Sequence, residues 1–509
     1  MELNIFKISR SEFGALRERL AEKGATVVHA ESDNTWSSEF LFLEGEEQVA
    51  GWLRMYEPFF DGRELPTRRS QSAVYLFHSP TSCYAIAHGS GRFHVAPFCD
   101  YDFGIELAKR IADENDVGQT AAKRYQGSRR KEHRVYKANT RLDVTSGESV
   151  DFIRAAIIRS KQDAFGKTGK FGVSAILSPA TITIYTIGNL LSSIEVELTN
   201  PELFSLPRTV LITEQSEVEY FDRLLVSEIT TENGATEFAS NSFDLSGVDF
   251  TFGRQGRFSL KYPGKRSLDF WDEHILSIED LRSYIEQVGL GDDDILKIKV
   301  TAVDDYGNCI DVPLKKCLDY IADAERVVLS NGQWRHFNQD YLAFLNEYVR
   351  NIETEETEEP FKVIAASEPD FNDSRQLRNA GYKYADKDFS IAPIRAQTPV
   401  EAWDLHRGNT VYAVKFGTPQ KLGYACDQAA ALLKLASNRA TIKQIPRFDR
   451  YCLWFGYSAK QLPENIADTN SVILKQKIED WARLCREFGV TPVIKLSRHI
   501  KPNNQLKLF

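Results

Sequence analysis

Basic side chains are grouped in one short stretch of the first third of the chain. Between Ala121 and Arg141 there are eight Lys or Arg residues and a single acid, Glu132. Clustered guanidinium and ammonium groups bind phosphates, and Tyr125 and Tyr136 offer rings on which bases can stack. We therefore predict a phosphate-contacting arm over residues 119–142, with a solvated loop or helix face as the alternative. Its predicted nucleic-acid contacts are Lys123, Arg124, Arg129, Arg130, Lys131 and Arg134.

A second concentration of cations lies at the C-terminal end. Residues 415–509 contain sixteen Lys or Arg and seven Asp or Glu, although the whole chain has a formal net charge of −9. A polyanion needs such a positive surface, and its binding weakens as salt rises. We expect this region to bind nucleic acid, with DNA preferred over RNA. Its predicted contacts are Lys421, Lys434 and Arg439.

Several classes of chemistry find no support in the sequence. The seven cysteines include no C-x-x-C pair and the nine histidines no H-E-x-x-H pair, which argues against a disulfide framework and a zinc site. There is no P-loop and no dinucleotide-binding glycine motif opening a helix. No signal peptide and no apolar stretch of about 18 residues is present. We expect a cytoplasmic protein with free thiols and no membrane insertion.

The length of 509 residues predicts several domains, because single cores stop growing at about 250–300 residues. The mixture of helical and strand patterns predicts α/β and α+β layers in a multidomain chain. The run ETEETEEP at residues 353–360 should be a solvated linker, since its acids repel one another. The predicted divisions are an N-terminal α+β domain (1–118), the basic arm (119–142), a middle α+β domain (143–352), the linker (353–360) and a C-terminal α/β domain (361–509).

The C-terminal part has the clearest order of elements. Three β-rich runs, KYADKDFSIAPI, TPVEAWDL and NTVYAVKFG, precede a helix over residues 419–437. The strand candidates YCLWFGY and TPVIKL then flank the helix VILKQKIEDWARLCREFG. This β-β-β-α-β-α-β order resembles the core of restriction-endonuclease-like nucleases, in which two strands of one hairpin deliver an acid and an acid-x-Lys pair to one sheet edge.

The nuclease resemblance implies a metal-dependent site on the hairpin. Carboxylates would hold Mg²⁺ against the scissile phosphate, and a lysine would polarise the attacking water. Asp404 matches the strand acid and Lys415 the lysine, whereas Ala413 stands where the nuclease pattern has Asp or Glu. Mg²⁺ is expected only if the site is catalytic, and its predicted ligands are Asp404 with Glu401 or Asp388; Glu368 is a further acid that could converge on Lys415.

Motifs in the same region resemble a second, broader family. EAWDL at Glu401–Leu405, YAVK at Tyr412–Lys415 and LGYACDQAA at Leu422–Ala430 are similar to I-E-x-C-D-L, I-H-V-K and L-S-H-L-F-x-Q-G segments of a sporadically distributed, uncharacterised bacterial family. The similarity runs from near Asp102 to the C-terminus. The matched polar positions, which we take as the candidate catalytic residues, are Glu401, Asp404, Lys415 and Gln428.

The patchy distribution of that family implies carriage on mobile or defence islands. The leading hypothesis is therefore an antiphage defence protein that binds nucleic acid through a nuclease-like C-terminal domain, with or without Mg²⁺-dependent cleavage. The alternative is a noncatalytic sensor or scaffold that docks a partner effector protein. Assembly into a homo-oligomer is left open.

Overall fold

The computed structural model describes residues 2–125, 131–231, 249–250, 257–270, 277–303, 309–385, 403–437, 448–458 and 461–500. The chain divides into two compact units. The first unit comprises Met1–Lys123, Lys131–Val144 and Ser149–Leu206. The second comprises Arg124–Arg130, Thr145–Glu148 and Pro207–Phe509. The expectation of a mixed α/β, multidomain chain is thus confirmed, while the boundaries of the units differ from the predicted ones.

The first unit is built on a sheet whose ten described strands run in the order β2-β3-β4-β5-β1-β10-β9-β8-β6-β7. The strands are β1 (Leu3–Ile8), β2 (Thr26–Ser32), β3 (Ser37–Val49), β4 (Thr67–His78), β5 (Cys83–His88), β6 (Ala112–Arg124), β7 (Lys131–Val135), β8 (Glu148–Ile157), β9 (Thr168–Phe171) and β10 (Ala175–Leu177). The helices are α1 (Phe13–Glu22), α2 (Gly51–Met55), α3 (Arg92–Val95), α4 (Phe103–Ile111), α5 (Gln162–Phe165) and α6 (Ile187–Thr199).

Both faces of this sheet are covered. Side chains alternate along a strand, so β1 sends Leu3 and Ile5 into the core shared with α4 and α6. Phe6 and Ile8 enter the opposite core with α1 and α3. The basic arm predicted over residues 119–142 falls largely on β6 and β7, which are paired strands of this sheet.

In its described residues, the second unit contains three sheets and their covering helices. Its strands are β11 (Thr209–Leu211), β12 (Asp249–Phe250), β13 (Arg257–Lys261), β14 (Leu268–Phe270), β15 (Lys299–Val303), β16 (Cys309–Pro313), β17 (Leu318–Ala322), β18 (Val327–Ser330), β19 (Gln333–Phe337), β20 (Glu353–Glu355), β21 (Val363–Ile364), β22 (Lys383–Tyr384), β23 (Leu405–Arg407), β24 (Thr410–Gly417), β25 (Arg450–Tyr457) and β26 (Thr491–His499). Its helices are α7 (Gln215–Thr230), α8 (Ile278–Val288), α9 (Asp292–Ile295), α10 (Gln339–Arg350), α11 (Glu368–Asn372), α12 (Arg375–Asn379), α13 (Pro419–Ser437) and α14 (Val472–Glu487).

Two of these sheets, in the orders β11-β19-β18-β17-β12 and β14-β13-β15-β16, belong to the middle of the chain. The third, which we call the C-terminal sheet, has the order β20-β26-β25-β24-β23-β22, and β21 also pairs with β26. β22, β23 and β24 are antiparallel neighbours, whereas β24, β25 and β26 run parallel. The predicted order of elements, β-β-β-α-β-α-β, is present in the described part of the chain as β22, β23, β24, α13, β25, α14 and β26.

Helix α14 lies inside the unit. Every residue from Val472 to Ala482 is buried, including four charged side chains. The burial is tolerated because these side chains have hydrogen-bond partners, as a buried ion without a partner would be costly. Lys477 Nζ donates to Asp427 Oδ2 of α13 at 2.8 Å, and Lys475 Nζ donates to Asn346 Oδ1 of α10 at 2.7 Å.

The acidic run at residues 353–360 is not the solvated linker that its composition predicts. Glu353–Glu355 forms β20, which pairs in parallel with β26. Lys495 of β26, whose side chain has no exposed surface, donates to Glu355 Oε1 at 2.7 Å and to Glu358 Oε2 at 2.6 Å. A cation from a distant strand therefore offsets the repulsion that would otherwise keep the run extended.

Six cysteines have described side chains, and all six are free and buried. Within the described ranges, no helix combines the length and apolarity required to cross a bilayer.

Candidate anion-binding site

Three cations lie at the carboxyl-end edge of the parallel strands of the C-terminal sheet, on β24, β26 and the start of α13. Lys415 lies near the end of β24, Lys421 in the first turn of α13 and Arg498 near the end of β26. Gly417, Tyr457 and Arg498 are register partners, so the ends of β24 and β26 lie about 10 Å apart, or two strand spacings. Ligands of open α/β sheets bind at such carboxyl ends. We call the site formed by these three cations the carboxyl edge.

Gly417 allows Lys421 to lie against the end of β24. The glycine has a φ of 150°, a conformation that L side chains rarely adopt. A Cβ atom at position 417 would stand 2.8 Å from the Cβ of Lys421. Because Gly417 has no side chain, Lys421 can lie close to the end of β24. The side chain of Lys421 itself is exposed.

Lys415 is held by a carboxylate of α11. Its Nζ donates to Glu368 Oε1 at 3.0 Å, and the backbone N–H of Phe416 donates to Glu368 Oε2 at 3.0 Å. Both carboxylate oxygens are thus engaged by adjacent donors of β24. The side chains of Lys415 and Glu368 retain 29% and 24% of their exposure, so water and solutes reach the pair.

Asp404 also accepts a hydrogen bond from the backbone of β24. β23 is short and pairs with β24 only as far as Tyr412 in the described ladder. The next outward N–H groups of β24 would be unpaired, and an unpaired strand edge invites association. Asp404 Oδ2 accepts the N–H of Val414 at 2.6 Å, just as Glu368 accepts that of Phe416. Asp404 and Glu368 therefore cap the N–H groups of Val414 and Phe416, the two successive outward donors of β24 beyond the end of β23.

Two further polar groups lie beside the carboxyl edge, and no sequence pattern pointed to them. Ser458 Oγ and His499 Nδ1 are 2.9 Å apart, and the His499 ring packs on Phe416 with centroids 5.0 Å apart. The N–H of Ser458 donates to Gly417 O at 2.9 Å, which ties β25 to the end of β24. Arg498 was also not predicted, because a lone arginine at a strand end has no distinctive spacing.

The predicted metal site is not assembled by the residues that the structure describes. Among them no group of three His, Cys, Asp or Glu side chains could hold a metal ion. Glu401 and Asp388, two of the predicted ligands, lie outside the described residues. Ala413, at the position where the nuclease pattern has an acid, is buried in the apolar core with α13 and α14. An ionised side chain there would lose its hydration.

The other residues predicted for the C-terminal part are spread along α13. Gln428 is exposed to solvent, so its expected role beside the lysine has no contact to support it. Lys434 lies in the last turns of α13, and Arg439 lies outside the described residues.

The predicted basic arm is brought together only in part. Arg124 is buried rather than surface-exposed: it donates to Glu148 Oε1 at 3.1 Å and to Glu479 Oε2 at 3.0 Å. Its predicted contact with phosphate is therefore wrong, because its guanidinium has no access to a ligand. Arg134 is paired with Glu132 at 3.0 Å. Of the remaining arm residues, Lys123 lies on β6 and Lys131, which is exposed, on β7, while Arg129 and Arg130 lie outside the described residues.

Several cations of the C-terminal region are likewise neutralised within the second unit. Arg450 pairs with Glu353 at 2.7 Å, in addition to the pairs made by Lys477 and Lys495. Among the described cations of this region, Lys421 and Arg498 are exposed, Arg486 is exposed and lies over the Tyr348 ring, and Lys415 is partly exposed in its pair with Glu368.

Comparison with known proteins supplies a family. The model of the family of unknown function DUF6119 matches residues 3–444. The chain belongs to DUF6119. The match includes Glu368, Asp404, Lys415 and Lys421 of this DUF6119 member, whereas Arg498 lies beyond it. Neither a curated protein nor a solved structure matches the chain.

Proposed function

We propose that this DUF6119 member binds the phosphate backbone of nucleic acid at the carboxyl edge and does so without cutting it. The observation that carries this function is that Lys415 and Arg498 lie near the carboxyl ends of β24 and β26, with Lys421 in the helix that follows β24. Phosphates are bound by such clustered cations together with backbone N–H groups. The order β-β-β-α-β-α-β and the hairpin that carries Asp404 and Lys415 support a nuclease-like scaffold for this binding.

Binding is favoured over cleavage by how the carboxylates are used. Asp404 and Glu368 each accept a backbone N–H of β24, and Glu368 also holds Lys415. Ala413 has no group that could ligate a metal. A metal-dependent cut needs two or more carboxylates free to bind the ion, as well as a lysine free to act on water.

Antiphage defence is the setting that we propose for this binding. Support for it comes from the resemblance to a sporadically distributed bacterial family, which implies carriage on defence islands. A direct test is the efficiency of plating of phages on cells with and without the intact gene, compared with cells carrying Lys421→Glu. Equal plating in all three would contradict the defence role.

Nucleic-acid binding can be measured by fluorescence anisotropy with labelled DNA and RNA of about 40 nucleotides. Between about 50 and 200 mM salt we expect log K to fall against log salt with a slope of about −3 for duplex DNA, one unit per cation. Lys415→Ala, Lys421→Ala and Arg498→Ala should each reduce the slope by about one. Lys170→Ala, which removes a partly exposed lysine of the first unit, is the matched control and should leave it unchanged.

The same samples, incubated with Mg²⁺ or Mn²⁺, test the absence of cutting. We expect intact nucleic acid on denaturing gels. Metal-dependent products that disappear in Asp404→Asn would instead establish a nuclease. An affinity that does not change with salt would show that contacts to phosphates do not carry the binding.

A second candidate function, docking of a partner effector, is favoured by an aromatic tip on the first unit. β3 and β4 continue past Ser72 as a two-stranded ribbon, and α2 lies at its end. There Trp52, Met55 and Phe59 each expose more than two-thirds of their surface. Trp, Met and Phe are enriched in protein interfaces.

The triple variant Trp52→Ser, Met55→Ser, Phe59→Ser separates the two functions. If a partner docks at the tip, phage protection should be lost while anisotropy with DNA is unchanged. Unchanged plating would exclude the tip as a docking surface for defence.

A further inference from the structure

We propose that Glu368 is an intramolecular substitute for a nucleic-acid phosphate and keeps Lys415 occupied until a polyanion displaces it. This inference rests on the proposed function and adds its regulation. Glu368 would then act as an autoinhibitory latch on the carboxyl edge.

The geometry of the Glu368 carboxylate matches the way a phosphate is held. One oxygen takes the ammonium of Lys415 and the other takes the N–H of Phe416, both at 3.0 Å. Two non-bridging phosphate oxygens use the same kinds of donor, a lysine and an adjacent backbone N–H. The ammonium of Lys415 and the N–H of Phe416 therefore form a two-donor anion site, the grip, which the Glu368 carboxylate occupies.

Exchange of the occupant is physically reasonable because the pair is not deeply buried. Lys415 and Glu368 retain 29% and 24% of their side-chain exposure, and ion pairs that water reaches contribute little net free energy. A polyanion that also contacts Lys421 and Arg498 gains from several charges at once, whereas Glu368 contributes a single charge.

The helix that carries Glu368 can stay in place during this exchange. Phe371 of α11 is buried and packs on Phe416 and Trp454, with ring centroids 5.2 Å apart in both contacts. Glu368 is the first residue of α11, and the residues of this helix that are buried are Phe371 and Asn372. Rotation of one side chain is therefore enough to open the grip.

The test is the affinity of the full chain for a labelled single-stranded DNA of about 40 nucleotides at low salt. Glu368→Gln removes the charge but keeps an oxygen for the N–H of Phe416, so the fold should be retained, which thermal unfolding checks. We expect about tenfold tighter binding than in the wild type. Glu359→Gln removes one charge from an exposed acid of the same unit that pairs with Lys362, and it should change the affinity far less.

The outcomes separate the latch from the function on which it rests. If neither the wild type nor Glu368→Gln binds DNA, the proposed function fails and the latch with it. If both bind equally, or if Glu359→Gln gains as much, the latch alone is overturned. The latch is supported if the double variant Glu368→Gln, Lys415→Ala does not show the tighter binding of Glu368→Gln alone.

A second variant covers the case in which Glu368→Gln does not fold. Glu368→Asp keeps the charge but shortens the side chain by one methylene, so that it cannot reach both donors. The latch requires this variant also to bind more tightly than the wild type, and unchanged affinity overturns it.

Discussion

At the scale of single residues, the second unit depends on charges that are almost hidden from water. Lys495 has no exposed side-chain surface, and its Nζ lies 4.6 Å from the Trp454 ring centre. Burial alone would lower the pKa of Lys495, but its hydrogen bonds to Glu355 and Glu358 outweigh that effect and raise it. Burial opposes ionisation of Glu358 too, yet the bond from Lys495 lowers its pKa to about 2. Each charge is thus tolerated because of the other.

Removing the cation should therefore destabilise the fold. We expect Lys495→Met to reduce the free energy of unfolding by about 2–3 kcal/mol, because two carboxylates lose their counter-ion while keeping some access to water. Arg498→Met, which changes an exposed cation of the same strand, should stay within about 0.5 kcal/mol of the wild type. Urea unfolding followed by tryptophan fluorescence measures both, and equal effects would show that the buried lysine is dispensable.

Glu479 should make stability depend on pH. Burial raises its pKa to about 7, although Arg124 and Arg483 oppose the rise. The folded chain then holds a proton that the unfolded chain, with its ordinary value of 4.5, has released. The stabilisation is complete below pH 4.5 and is lost as pH rises through 7. The urea midpoint should fall over this range in the wild type and less in Glu479→Gln; parallel curves would contradict this assignment.

At the scale of elements, the acidic run before α11 is part of the sheet rather than a spacer. Thr357 is buried, and its hydroxyl donates to Leu496 O at 2.6 Å. Thr357→Val should cost about 1–2 kcal/mol, because the carbonyl of Leu496 is left without this donor. Thr354→Val, at an exposed position of the same run, is the matched control and should be nearly neutral. If both variants have wild-type urea midpoints, the run behaves as a solvated linker after all.

The elements of the C-terminal sheet were predictable, and their partners were not. The helix over residues 419–437 and the helix before TPVIKL follow from periodicity, a local signal. The strand at Glu353–Glu355 could not be predicted, because its acids are tolerated there by Lys495, about 140 residues later. At the candidate site Asp404 and Lys415 were identified from spacing, while the capping of strand N–H groups by Asp404 and Glu368 depends on where β23 ends.

At the scale of the whole molecule, the second unit includes residues from the first third of the sequence. Tyr125 is buried there: its hydroxyl lies 2.9 Å from Thr209 Oγ1 and its ring packs edge-on against Phe337. Arg124 supplies the counter-ion of Glu479. The predicted boundary near residue 353 missed this interleaving because no local pattern reports a contact between residues so far apart.

A fragment of residues 207–509 should therefore not fold cooperatively. It would lack Arg124, Tyr125 and Glu148, leaving a cavity and a buried Glu479 without its closer cation. We expect aggregation in size-exclusion chromatography and no sharp thermal transition by circular dichroism, in contrast to the full chain. A monomeric fragment with a steep transition would establish that the early segments are accessory.

The pairing of Arg124 with Glu479 spans 355 residues, which constrains how the protein can be made. On the ribosome the arginine emerges long before the glutamate exists, and closing so large a loop is slow. The interior of the second unit therefore stays incomplete until α14 has been translated. Premature termination before α14 would release a product in which Arg124 lacks one of its two buried carboxylate partners, a substrate that cellular proteases and chaperones would recognise.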